Sequence, residues 1–267
     1  MRSHLRLDHH PLSAVNRKTM RVLLSIGFIS GCGAAVVDEP VAESNPTPVA
    51  EAARAADPGP MVDLVQRTAS VVGVDPDCPR VMRIDTADDA LHERWVGGCQ
   101  LSDGTEVLGV LERRDAPDGA WVTGTDFRLV QQGELVFALD GAIELTDVDA
   151  LWLMDIAASV CGIGSWPCSD GMLGMDLTTT MYPSSGFPDD YDTTVSGAIA
   201  TDRATTTVDG AWSVNSALCA IEPTDGTLSV RHGDLHAIAL DGRQACDGCA
   251  AWEAQGQPMP SLCGLNR

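Results

Sequence analysis

The chain has 267 residues, with 17 Lys and Arg against 38 Asp and Glu, a formal charge of −21 at pH 7. A surface this acidic repels nucleic acid and anionic lipid headgroups, which excludes both as partners held by charge. With 4 Phe and 2 Tyr beside 9 Cys and 6 Trp, the core must lean on Val, Leu, Ala, Met and Trp, and crosslinks must supplement packing.

The first element in chain order is the apolar run from Val22 to Ile29. A helix that crosses a bilayer needs about 20 apolar residues, so this run is too short to be one. Arg17, Lys18 and Arg21 precede it and small residues close it, which is the pattern of a secretory signal. Its end, Ile29-Ser30-Gly31-Cys32, resembles the signal of bacterial lipoproteins: an aliphatic residue, two small ones, then Cys. The resemblance implies cleavage before Cys32 and lipid on its sulfur and new amino group. Gly33, where that family uses Asp for inner-membrane retention, implies an outer-membrane lipoprotein, periplasm-facing or at the cell surface. Residues 1–31 are thus expected to be a signal peptide, with Met20 as an alternative start. Several acyl chains anchor stably where one is marginal, so the membrane is the expected partner, through Cys32. Loss of residues 1–31 removes five basic residues and Asp8, leaving a chain at −25 with 12 Arg and no Lys.

Residues 33–60, "GAAVVDEPVAESNPTPVAEAARAADPGP", are rich in Ala, Pro and Glu. Such composition buries too little surface to offset the entropy of ordering, so 32–60 reads as a lipidated Cys and a disordered tether. Residues 61–267 are left as one domain. Val62–Val72 is its best helix candidate, and Ala251–Gln255 a single helical turn.

From Cys78 onward Asp-Gly pairs recur, at 103–104, 118–119, 140–141, 209–210, 225–226, 241–242 and 247–248. Asp-Gly between apolar alternations signals a hairpin, because both residues tolerate positive φ. Residues 105–114 read as one strand, 126–145 as two strands about Gly133, and 226–242 as a hairpin turning at Gly233-Asp234. Residues 161–197, with Pro167, Pro183 and Pro188, read as loop-rich. The spacing predicts an all-β, antiparallel, disulfide-stapled meander. It leaves open sheet, sandwich and barrel undecided.

Outside Cys32 there are eight cysteines: Cys78, Cys99, Cys161, Cys168, Cys219, Cys246, Cys249 and Cys263. In an oxidising compartment an even set reads as disulfides. Proximity pairs Cys78–Cys99, Cys161–Cys168, Cys246–Cys249 and Cys219–Cys263, with exchange possible among the last four. The first closes a loop worth about 3 kcal/mol in the chain-entropy model. Residues 78–109, with "CPRV" and "RWVGGCQLSDGTEVLG", and residues 240–252, "LDGRQACDGCAAW", resemble uncharacterised Cys-rich β lipoproteins of predatory, myxobacteria-like bacteria. The likeness touches about a third of the domain and implies architecture and location, not chemistry.

The alternative metal set is His232, His236, Cys246 and Cys249, two His and two Cys at zinc-like spacing. Against it, Gly233-Asp234 turns between the two His, and an oxidised Cys offers no thiolate. Redox use of Cys246-x-x-Cys249 is disfavoured by Asp247 and by the strand-like segment before it. Asp75/Asp77, Asp147/Asp149 and Asp189/Asp190/Asp192 are Ca²⁺ candidates without an EF-hand pattern. His92-Glu93 lacks the second His of a metalloprotease helix, and "GIGSWPC" (162–168) only faintly resembles a nucleophile elbow. The six Trp read as core or disulfide-packing residues before ligand platforms. No cofactor and no catalytic residue is expected. The reading is a non-catalytic structural or binding module of the cell envelope, whose protein or small-molecule partner the sequence does not name. A secreted-side hydrolase and a C-terminal metal binder are the alternatives.

Overall fold

Buried and outward positions alternate along most segments. In 173–181 the inward ones are Leu173, Met175, Leu177, Thr179 and Met181, all buried. That period of two makes strands with one buried face. The computed structural model describes residues 46–68, 75–84, 91–148, 151–184, 190–263 and 265. Cys32 and the signal-like run lie outside the described residues.

Two helices come first, α1 (Pro46–Ala55) and α2 (Gly59–Gln66). The strands then follow in order: β1 (Arg80–Arg83), β2 (Leu91–Val96), β3 (Cys99–Gln100), β4 (Glu106–Ala116) and β5 (Gly119–Gln131). Next come β6 (Glu134–Val148), β7 (Leu151–Cys161), β8 (Leu173–Pro183), β9 (Asp190–Ala200) and β10 (Thr205–Asn215). The last are β11 (Asp225–His232), β12 (Asp234–Leu240), β13 (Cys249–Ala254) and β14 (Gln257–Cys263). Among the described residues these form one 14-stranded antiparallel sheet in sequence order from β1 to β14, with β3 pairing β4 off the main path. The meander is therefore an open sheet, ending at β1 and β14.

The inner face carries the core, including Trp95, Leu111, Phe127, Leu139, Ile143, Met154, Ile156 and Tyr191. Both helices cover it. Helix α2 touches β5 and β6, while α1 touches β10, β11 and β14. In a flat sheet β5 and β14 lie about 43 Å apart. The helices are only about 15 and 12 Å long, so the sheet curves around the pair. Long strands bend at glycines to do so. Gly124 pairs with Gly141 across β5–β6, and a Cβ on Gly141 (φ +117°) would lie 2.3 Å from the Ala157 carbonyl oxygen.

Helix α1 corrects the tether boundary. Val49, Ala52 and Ala56 are buried and Ala53 is partly buried, an i, i+3, i+4, i+7 stripe inside an Ala-rich segment. Residues 46–60 therefore belong to the folded domain. Val62–Val72 overlaps α2, which starts earlier, with Pro60 at its first turn. The loop-rich reading of 161–197 is replaced by β8 and β9, and Ala251–Gln255 lies mostly in β13 rather than a helical turn. Asp140-Gly141 and Asp209-Gly210 sit inside strands, not at turns.

Four disulfides are present. Cys78–Cys99 and Cys161–Cys168 are paired as expected. The other two are Cys219–Cys246 and Cys249–Cys263, not Cys246–Cys249 and Cys219–Cys263. The β13–β14 register sets Cys249 directly across from Cys263, with Cα atoms 4.0 Å apart. Asp247 then turns the chain by accepting the Cys249 N–H at 3.0 Å, which leaves Cys246 facing Cys219.

Both sheet edges are blunted. Strand β14 contains Pro258 and Pro260, which offer no N–H. Strand β1 is four residues long and carries Arg80 and Arg83.

If α1 is part of the core, Val49→Asp should destabilise the domain by about 3 kcal/mol or more in chemical denaturation, because it buries an unpaired carboxylate. A tether residue would leave the midpoint unchanged.

Candidate functional site

The C-terminal His and Cys residues do not assemble. His236 is 3% exposed on β12, its ring against Trp252 with centroids 5.5 Å apart. It pairs in register with Ala254. Cys249 lies five residues back along β13, about 17 Å away. Cys246 and Cys249 are each in a separate disulfide, so neither presents a thiolate. The His232, His236, Cys246, Cys249 ligand set is thereby overturned. Burial pushes the His236 imidazole below its ordinary value; a hydrogen bond to the His232 backbone and the charge of Asp234 oppose this. Its Nδ1 is buried without a hydrogen bond.

Glu222, which the sequence reading missed, is 2% exposed beside the Cys219–Cys246 bridge. Its carboxylate accepts the Asp247 N–H at 3.2 Å. Burial pushes its carboxyl up, and the charges of Asp247 and Asp241 add to the rise; hydrogen bonds from the Asp247 and Gly248 backbone oppose it. Cys219, Glu222 and Cys246 bring their donor atoms within 4.8 Å of one another. Because both sulfurs are bonded, the group pins a loop.

Among the described residues no three acidic side chains converge on one point. Asp75 accepts the Ser102 N–H and bridges to Cys78. Asp149 and Asp189 lie outside the described residues. Asp192 faces outward on β9, and its Oδ1 accepts the Ser213 hydroxyl at 2.5 Å. His92 and Glu93, adjacent on β2, point to opposite faces: His92 lies outward against Trp121, while Glu93 Oε2 accepts the inward Trp95 Nε1–H at 3.3 Å. Ser165 lies in the tight 162–166 turn beside Trp166, whose ring Arg54 covers at 5.1 Å. Trp95, Trp166, Trp212 and Trp252 are buried.

Space is distributed unevenly between the two faces. Under the helices the cavities near Trp212 and near Trp166 are about 20 Å³ each, room for one water. The surface holds larger hollows. One of about 310 Å³ lies between α1 and β14, lined by Glu51 and Ser261. On the outer face, one of about 190 Å³ is lined by Arg114, Trp121 and Glu144, and one of about 340 Å³ by Tyr182, Asp192, Ser213 and Asp225.

The hollow at Trp121 is built by register. His92 pairs with Arg114, Arg114 with Trp121, and Trp121 with Glu144, across four neighbouring strands. One row along, Arg94 pairs with Glu112, their charged atoms 3.5 Å apart. His92 Nε2 stands 3.9 Å from Glu112 Oε2, too far for a hydrogen bond. The His92 ring meets Trp121 edge-on at 5.3 Å. The lining contains no Ser or Cys nucleophile. It offers an indole, a guanidinium and carboxylates on a rigid support, which suits recognition rather than acyl transfer.

No family model matches the chain, and no curated protein and no solved structure matches it. Its own geometry carries the functional reading.

Two pH dependences follow. With its folded pKa lowered, His236 contributes stability that is full above its ordinary value near 6.5 and is lost as pH falls through the folded value. In urea titrations His236→Phe should flatten that acid-side loss. With its folded pKa raised, Glu222 contributes stability that is full below its ordinary value near 4.5 and is lost as pH rises through the folded value. Glu222→Gln keeps an acceptor for the Asp247 N–H and should be the more stable form at pH 7.

Proposed function

We propose that this protein is a non-catalytic binding module of the cell envelope, held to the outer membrane by lipid on Cys32, which presents the outer face of its sheet to a ligand. One observation carries the reading. The cavities beneath the helices near Trp212 and Trp166 are water-sized and a hollow of about 310 Å³ lies at the rim between α1 and β14, while the outer face opens hollows of about 190 and 340 Å³. Four disulfides and continuous ladders support that face, so its geometry is set before a ligand arrives.

The fold boundary bears on the anchor. Thirteen residues, 33–45, separate Cys32 from Pro46. Even fully extended they reach about 50 Å, which keeps the sheet close to the bilayer. Among the described residues no helix is long and apolar enough to cross a membrane. The run ending in Ile29-Ser30-Gly31-Cys32 supports anchoring by lipid.

The test is fractionation of cells that express the full chain. Cys32→Ala, or treatment with globomycin, should move the protein from the membrane fraction to the soluble fraction. An unchanged distribution overturns the anchor.

A further inference from the structure

We propose that the outer-face row Tyr182, Asp192, Ser213 and Asp225 is a binding site for a neutral saccharide. The proposal rests on the reading of the outer face as the binding surface and gives that face a ligand class.

The four residues are successive cross-strand partners: Tyr182 with Asp192, Asp192 with Ser213, and Ser213 with Asp225. Adjacent strands are about 4.8 Å apart, so the row spans about 14 Å and its two carboxylates stand about 10 Å apart. Tyr182 is 55% exposed, and Asp192 and Asp225 are exposed. The alternate residues Tyr191, Trp212 and Val214 are buried on the other face, which holds the backbone of the row in place. Ala211, small and outward, leaves space beside Ser213, and the hollow measures about 340 Å³. That is at the small end of ligand sites.

The chemistry excludes the other ligand classes in turn. No Lys or Arg lines the hollow, so phosphates, sulfates and carboxylates meet only like charge. A point cation needs donors that converge. Here the carboxylates are two strands apart, and among the described residues the one group of three metal-ligating side chains with converging atoms is Cys219, Glu222 and Cys246. An acyl chain needs an enclosed apolar channel, whereas this hollow lies open on the sheet and mixes Ala211, Trp212 and Gly226 with Thr194, Ser213 and two carboxylates. A pyranose ring matches what is present. Its hydroxyls donate to acceptors spaced along one line, and its C–H face rests on an exposed aromatic ring. The Ser213 hydroxyl donates to Asp192 Oδ1, which fixes that carboxylate and leaves its other lone pairs for a ligand.

The experiment is calorimetry on the protein purified in neutral detergent from cells that express the full chain, with chitotriose, maltotriose and cellotriose as probes. At least one should bind. Tyr182→Ala and Asp225→Asn should each weaken binding about tenfold or more, while Tyr182→Phe keeps the platform and holds affinity within about threefold. Binding that vanishes in Trp121→Ala but survives in Tyr182→Ala moves the site to the other hollow and overturns this proposal while sparing the binding face. Loss of binding in neither variant, or no binding of any probe, overturns it outright. Binding of Ca²⁺ alone that is lost in Asp225→Asn, without any saccharide, replaces it by a cation site. Cell fractionation of the same variants reads the anchor separately, since none of them touches Cys32.

Discussion

A single sheet with one apolar face needs a cover, and every large feature of this molecule follows from that requirement. Strand after strand alternates inward Leu, Val, Ile, Met and Trp with outward Thr, Ser, Asp and Ala, so the inner face of β4–β13 is mostly apolar, interrupted by Thr179, Thr193, Thr206 and His236. A second sheet would make a sandwich and closure would make a barrel. Among the described residues the strands do neither. The chain lays α1 and α2 on the inner face and curves the sheet around them. Those helices are short, and their inward residues are Val, Met, Leu and several Ala. Small residues let helix and strands approach closely, which is why the cavities between them hold no more than a water.

Polar contacts then orient what apolar packing alone leaves free to slide. The buried Tyr191 hydroxyl donates to Asp57 Oδ1 at 2.8 Å, and Asp57 also accepts the Gly59 N–H at 3.0 Å, at the link between the helices. Arg203 reaches Glu51 at 2.5 Å from the β9–β10 turn, and Arg54 covers the Trp166 ring. With few Phe or Tyr to bury, the sheet uses covalent ties where it runs out of neighbours. Cys78–Cys99 lies near the β1 end and Cys249–Cys263 joins the last two strands. Both are places where a strand has one partner rather than two.

Much of this was legible in the sequence, and the failures have physical causes. Apolar alternation marked β4, parts of β5 and β6, and the β11–β12 hairpin, and Gly133 and Gly233 marked their turns. The same alternation was present in Leu173–Met181, but nearby Gly, Pro and Ser disguised it as loop. Composition also hid α1, since Ala and Pro look like tether until the spacing of Val49, Ala52, Ala53 and Ala56 is counted. Asp-Gly misled inside β6 and β10. There the glycine serves close approach between strands of a bent sheet; a Cβ at Gly210 would lie 2.6 Å from the Thr227 carbonyl oxygen. The disulfide exchange at the C-terminus needed the β13–β14 register, which proximity in sequence does not contain.

The candidate sites were the least legible part, for a reason specific to meanders. No local spacing links Tyr182, Asp192, Ser213 and Asp225, or His92, Arg114, Trp121 and Glu144. They become neighbours only after three hairpins have each chosen a register, and a slip of one residue in any hairpin turns a partner to the other face. The core therefore determines the outer surface. Burying Trp212 and Val214 obliges Ser213 to face outward, as burying Tyr191 obliges Asp192 and burying Val122 obliges Trp121. Alternation sends a polar row to the surface, and the buried row behind it, with the ladder hydrogen bonds, holds it there. In this fold the precision of a surface site comes from backbone register, so the packing that stabilises the domain also positions the groups that meet a ligand.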